Sequence, residues 1–378
     1  SSRGNSHFAP YGFNQGGQNE IEQARINSIL TKNIHDSNCG GAIIFEWIDE
    51  WFKLNWMVMD FEQPQDRTRY WHNKENPEQN FGVLAIENRT IIPDGQDEDW
   101  AKPAFFADKN IQADADPSYF YLKYKMKDFD FKNNNLHIAI DTYDEDKGEH
   151  SLSTLNKKSK RGIEFFLSFM KPDSAVILVD DEYSVFSDIY NDYVPIYSSK
   201  KNDDGRFVPQ ELIANRARET LLGEKFPQRL YDRSNLIHGK VTENSNADWF
   251  YSQNNGILEI RLAWHLLNIS DPSSLQVLDD KPETPEIESS TLDKFYIYSY
   301  ITNKQNETLY TIPEDEKSFS YIWEKWDNPK YEVREKVQYD SLKILFGKLK
   351  PIYSEEAKLD DNKFAVAKWF ENRNGAIS

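Results

Sequence analysis

Residues 40–53 read Gly40-Gly41-Ala42-Ile43-Ile44-Phe45-Glu46-Trp47-Ile48-Asp49-Glu50-Trp51-Phe52-Lys53 and concentrate the chemistry of the chain. Glu46, Asp49 and Glu50 stand beside the indoles of Trp47, Trp51 and Trp56. Carboxylates next to flat apolar rings suit glycoside chemistry, which needs acid/base groups and surfaces on which sugar rings stack. Hydrolysis also needs two carboxyl groups facing each other across the scissile bond. No second acidic cluster pairs obviously with this one, so support at the mouth of a site is expected of these carboxylates rather than catalysis. The same residue types would also build an ordinary solvated turn.

Two further constellations can hold a ligand. Asp141, Asp144, Glu145, Asp146 and Glu149 follow an apolar alternation. Clustered oxygens in a turn suit Ca²⁺, so Asp141, Asp144 and Asp146 are candidate ligands of a structural calcium ion. The spacing is not that of an EF-hand, and a solvated acidic turn is the alternative. Tyr296, Tyr298 and Tyr300 alternate with apolar residues and would form an outward face, with Tyr119 and Tyr121 as possible partners. That face is either a sugar-binding platform or a half-buried surface beneath an insertion. Histidines at metal spacing, a nucleophile elbow and a phosphate loop are all missing from the sequence.

The elements that must position these groups follow from periodicity. Asn19 with Glu22 forms a capping box ahead of a helix reaching Ile34, with Ile26, Ile29, Leu30 and Ile34 on one face. The apolar run after Gly40-Gly41 reads as a buried strand of a parallel sheet. Between residues 100 and 304 the period drops to two. Phe120/Leu122/Tyr124/Met126, Leu136/Ile138/Ile140, Ile163/Phe165/Leu167/Phe169, Leu258/Ile260/Leu262/Trp264 and Phe295/Ile297/Ile301 each alternate. Short alternating strands split by polar turns indicate an antiparallel β-sandwich. A polar insertion at 198–245 would carry a helix over 209–222. Pro329 opens a last helix, with Val333, Val337, Ile344, Leu345 and Leu349 apolar.

The totals limit the partners. With 378 residues the chain can hold more than one core, and its formal net charge of −18 argues against nucleic acid or an anionic membrane surface. Aromatics reach 14%, in line with an oligosaccharide or polysaccharide partner. A single cysteine, Cys39, rules out an internal disulfide framework. No run approaches the roughly 18 apolar residues of a membrane span. The chain opens on Ser1-Ser2-Arg3-Gly4, not Met, and reads as a piece of a longer protein whose remainder is its first partner. A bacterial extracellular or envelope location is favoured over the cytoplasm.

Several of these motifs carry a resemblance. Ser1-Ser2-Arg3-Gly4, Gln15-Gly16-Gly17, Glu20-Ile21-Glu22-Gln23 and the run from Gly41 to Lys53 look like the end of a catalytic barrel. The barrel is that of proteins related to glycoside hydrolase family 2, in the β-galactosidase and β-glucuronidase clan. Tyr70-Trp71 and Glu78-Gln79-Asn80-Phe81-Gly82 resemble the tail found in one bacterial subgroup. The resemblance implies that Trp47 lines a sugar subsite, with Glu46 and Asp49 at the barrel mouth. It also places the general acid and the nucleophile before Ser1, so the parent is a glycosidase-like protein and this chain alone is expected to be inactive. Tyr119-Phe120-Tyr121-Leu122-Lys123, the strand ending at Asp141-Thr142, Gly162-Ile163-Glu164 and Leu258-Glu259-Ile260-Arg261-Leu262-Ala263-Trp264 are similar to family 9 carbohydrate-binding modules and DOMON sandwiches.

The expected architecture is α+β and mainly β. Residues 1–70 would be the last helix/strand unit of a TIM-type barrel, 71–99 a linker, 100–304 the sandwich, and 305–378 a helical segment that includes the final barrel helix. Carbohydrate contacts are expected from Trp47, Trp51, Trp71, Tyr296, Tyr298 and Tyr300. The alternative is a non-enzymatic structural or interaction module of a bacterial polysaccharide-related protein.

Overall fold

The computed structural model describes residues 17–55, 58–88, 91–101, 105–108, 110–126, 128–142, 144–185, 203–215, 217–279 and 287–349. The motif residues Ser1 to Gly4, Gln15, Gly16 and Trp56 lie outside these. Alternating side chains build two antiparallel sheets. The larger runs Phe207–Pro209, Ser174–Asp180, Phe165–Lys171, Asn134–Asp141, Phe295–Asn303 and Thr308–Thr311, with Asn235–Leu236 and Phe319–Tyr321 attached. The smaller runs Trp249–Ser252, Ile257–Ala263, Tyr119–Lys125, Ile111–Ala115 and Phe105–Asp108. Leu136, Ile138, Ile140, Leu167 and Ile297 of one sheet share a single core with Phe120, Leu122, Leu258, Ile260 and Leu262 of the other. The mainly-β, antiparallel, sandwich-like expectation holds because period-two alternation leaves each sheet one apolar face to bury.

The remaining structure is built from the two ends of the chain. Helix α1 (Glu20–Asp36) carries the expected capping box from Asn19 and Glu22. Its packing face is not the expected one. Gln23, Ala24, Asn27 and Thr31 are buried, whereas Ile29 and Leu30 are exposed. Helix α2 (Val337–Lys348) is shorter than the sequence suggests, because Glu332–Glu335 forms a strand antiparallel to Leu84–Glu87. It packs on α1, where Asn27 Nδ2 donates to Gln338 Oε1 at 2.7 Å and Gln338 Nε2 donates to the Gly82 carbonyl at 2.5 Å.

Residues 42–47 do not form the buried strand read from the sequence. Ile43 is 94% exposed, and no strand pairs with this run among the described residues. Its hold on the molecule is at its end, where the Glu46 amide donates to the Phe81 carbonyl and the Val83 and Leu84 amides donate to the Glu46 and Trp47 carbonyls, followed by the parallel bridge Ile48–Leu84. A barrel is not formed by the described strands.

Two other readings are corrected. Among the described residues of the insertion no helix covers 209–222; Glu211–Asn215 pairs with Arg229–Asp232, and Arg218–Glu219 with Lys225–Phe226. Gly223, at φ +80°, closes the second hairpin in the left-handed region that ends a helix rather than continues it. Residues 71–99 are no loose linker either. Trp71, His72, Asn73, Glu75 and Asn76 are buried, and 94–100 strap across the outer face of the smaller sheet. There the Glu259 carboxylate accepts from the amides of Asp94 (2.9 Å) and Gly95 (2.5 Å) and from Trp100 Nε1 (2.6 Å). Asp97 adds ion pairs to Lys123 and Lys125.

Candidate functional site

The Glu46 cluster divides into residues at the surface and residues that hold the fold. Glu46 and Trp47 line a cavity of about 410 Å³ with Ile44, Val83, Tyr339 and Phe346. Burial, reinforced by the charge of Glu50, pushes the Glu46 carboxyl up to about 7. Trp47 is 62% exposed beside Tyr339. Glu50 pairs with Lys53 at 3.0 Å. Asp49 is not at a mouth: it is buried and accepts from Lys336 Nζ at 2.7 Å and the Gly82 amide at 2.8 Å. Burial raises its pKa against the pull of Lys336. It ties the chain leading into α2 to the N-terminal segment. The cluster therefore offers the cavity one acid-like group and one stacking surface, with no opposing carboxylate among the described residues that line it.

Of the other indoles, Trp51 is half-buried, stacked at 5.7 Å on His72, and donates to the Arg69 carbonyl at 2.9 Å. Trp71 is wholly buried, edge-on to His265, and cannot touch a ligand from that position.

The tyrosine face is closed. Tyr300 is buried with Ala139, Leu152, Leu155 and Phe166, and burial pushes its pKa far up. Tyr298 packs partly on the same cluster, and the Arg161 guanidinium lies 3.7 Å over Tyr296. Residues 151–155 and Phe207 cover this side of the larger sheet, so the half-buried alternative is the one the structure adopts.

The acidic turn is also rearranged. Asp141 is fully buried and paired with Arg161, while Asp144 Oδ1 caps the Asp146 amide at 3.0 Å. These three are not brought together. Instead Glu149, Asp181 and Asp204 place carboxylate oxygens within 4.8 Å of one another, a set that could hold a metal ion. Glu149 stands out in the sequence as part of the acidic turn, but nothing local joins it to Asp181 and Asp204, which lie beyond the Phe165–Lys171 and Ser174–Asp180 strands.

One further feature went unassigned in the sequence. A cleft of about 620 Å³ opens between the smaller sheet and the 321–329 segment. Tyr321, Trp323 and Trp326 line it together with Asn88, Asp114 and Glu324. Both indoles are fixed by their N–H groups: Trp323 donates to the Pro272 carbonyl at 2.7 Å and Trp326 to the Tyr70 carbonyl at 2.6 Å. Burial raises the Asp114 carboxyl, whose one oxygen accepts from the Ala115 amide at 2.8 Å. Tyr321 and Trp323 are buried in the sandwich core, so Trp326 is the half-buried ring that the cleft presents beside its amide and carboxylate groups, a combination suited to a flat, hydroxylated ligand.

No family model matches the chain, and no curated protein or solved structure is significantly similar to it.

Proposed function

We propose that this chain is a carbohydrate-binding β-sandwich attached to the closing unit of a glycoside-hydrolase-like scaffold, and that it has no complete catalytic site of its own. The observation that carries the reading is the cleft of Tyr321, Trp323 and Trp326 with Asn88, Asp114 and Glu324. Trp326, half-buried, supplies the stacking area at little entropic cost because its N–H bond already holds it, while Tyr321 and Trp323 form the buried floor of the cleft. Its polar groups supply acceptors and donors for hydroxyls. This cleft replaces Tyr296, Tyr298 and Tyr300 as the binding surface.

Calorimetry against a panel of neutral oligosaccharides tests the reading. Binding of at least one is expected, weakened tenfold or more by Trp326→Ala; a panel without heat overturns it. Aryl glycosides test the non-catalytic half. No turnover is expected, and turnover abolished by Glu46→Gln would show that Glu46 acts as an acid in a complete site.

The interaction-module reading is favoured by a different observation. Ile29, Leu30, Ile43, Trp47, Ile344 and Phe346 are all exposed on α1, the 43–47 run and α2. Large exposed apolar side chains gathered on one unit mark a contact surface. In the scaffold reading that surface receives the rest of a barrel-type domain.

A further inference from the structure

We propose that Glu149, Asp181 and Asp204 form a Ca²⁺ site that staples the 203–206 turn to the edge of the larger sheet. The proposal is independent of the carbohydrate reading. Oxygens bound to one calcium ion at about 2.3–2.6 Å can lie no more than about 5 Å apart. The three carboxylates, drawn from well-separated points of the sequence, meet that limit at 4.8 Å.

The second observation is the state of their buried oxygens. Glu149 is wholly buried; its Oε2 accepts from the Gly205 amide at 2.7 Å, its Oε1 has no donor among the described residues, and its carboxyl group lies within hydrogen-bonding reach of the Asp203 carboxyl. Asp181 Oδ2 pairs with Arg206 at 3.2 Å, whereas Asp181 Oδ1 is buried with no donor among the described residues. Buried carboxylate oxygens without donors carry an unmet desolvation cost and call for a partner. A cation placed among them supplies it. Asp203, whose Oδ1 accepts from the Ser151 amide at 2.7 Å, adds further negative charge next to the site.

The backbone is already shaped for this contact. Gly205 sits at φ +74°, and a Cβ there would come within 2.0 Å of Ser153 Oγ. Only glycine lets the turn approach the 151–153 segment so closely while presenting its amide to Glu149. All three ligands are hard oxygens with no nitrogen or sulfur among them, which selects Ca²⁺ over zinc or copper. The ion would join residues 147–151, the turn Asp181–Tyr183 and the 203–206 turn that leads into Phe207–Pro209. It thereby fixes the insertion over the tyrosine face.

The test uses the whole chain stripped with a calcium chelator and then titrated with CaCl₂ or MgCl₂. One Ca²⁺ per chain is expected by calorimetry, with a rise in Tm that Mg²⁺ at equal concentration does not reproduce. Glu149→Gln and Asp181→Asn should each weaken Ca²⁺ binding at least tenfold. Asp204→Asn, on an exposed turn, keeps the test valid should the buried variants fail to fold, and should also weaken binding. Asp144→Asn should leave it unchanged. No Ca²⁺ binding to the stripped chain, or unaltered affinity in Asp204→Asn, overturns the proposal.

Discussion

The outer face of the smaller sheet and the outer face of the α1/α2 unit meet opposite fates. The first is charged, carrying Lys123, Glu259 and Arg261, yet all three are buried because residues 94–100 and 245–247 supply their partners. The second carries Ile29, Leu30, Ile43, Ile344 and Phe346 and stays exposed. Polarity alone therefore does not say which surface is covered. A charged face is closed here because every group finds a geometric partner in the same chain. An apolar face remains open because α1 and α2 join through Asn27 and Gln338 instead.

The closed side should give the largest response. Arg233 is buried between Glu75 (3.3 Å) and Asp248 (3.1 Å) and ties residues 71–87 to the sandwich. Arg233→Met leaves two buried carboxylates without their shared cation, a loss of about 3–5 kcal/mol. Urea unfolding should show it; a loss under about 1 kcal/mol would mean that residues 71–87 are held by apolar contacts alone.

The pH dependence of the strap comes next. Burial pushes Glu259 up to about 7 against three N–H donors, above its unfolded value of 4.5. The folded state thus holds this proton more tightly. Its contribution is full below pH 4.5 and is lost as pH rises through about 7, at most on the order of 3 kcal/mol. Glu259→Gln cannot titrate, so the wild type should lose stability relative to this variant between pH 4.5 and 7. Parallel stability curves for the two proteins across that window would place the titration elsewhere.

The hold of α2 on α1 is weaker. Gln338→Leu leaves the Gly82 carbonyl without its 2.5 Å donor and Asn27 Nδ2 without its acceptor, at a cost of about 1–3 kcal/mol. Hydrogen exchange should then speed up in Val337–Lys348 while the Tyr119–Lys125 and Asn134–Asp141 strands keep their protection. Uniform acceleration across all of them would instead make the helices and the sandwich one cooperative unit.

The same contrast explains what could be read from the chain. The sandwich strands were legible because alternation such as Leu258/Ile260/Leu262 specifies a face directly, and the capping box of α1 because it is local. The facing of α1 was not legible: its apolar residues repeat correctly, but the surface it meets is made of the backbone carbonyls of Asn80 and Phe81 and the Gln338 side chain, which favour Gln23 and Asn27. Tyr300 looked outward for a related reason, since nothing local announces that Leu152 and Leu155 cover it. Asp49 and Trp71 were read correctly as chemical groups and misplaced as surface ones. Their partners, Lys336 and His265, lie far along the sequence. The Glu149–Asp181–Asp204 set and the tryptophan cleft share this property, and only the folded chain assembles them.

The smallest effect on stability belongs to the open face, and it is the most direct check of the comparison. Ile43 is 94% and Ile344 57% exposed, so changing both to Ser removes little buried area in the isolated chain. Surface changes of this kind stay within about 0.5 kcal/mol, whereas Ile138→Ala in the shared core should cost about 2–5 kcal/mol. If the open face is uncovered in the isolated chain, the double Ser variant should leave Tm unchanged in calorimetry. A fall in Tm comparable to that of Ile138→Ala would show that this face is already covered in the isolated chain, and the difference between the two faces would vanish.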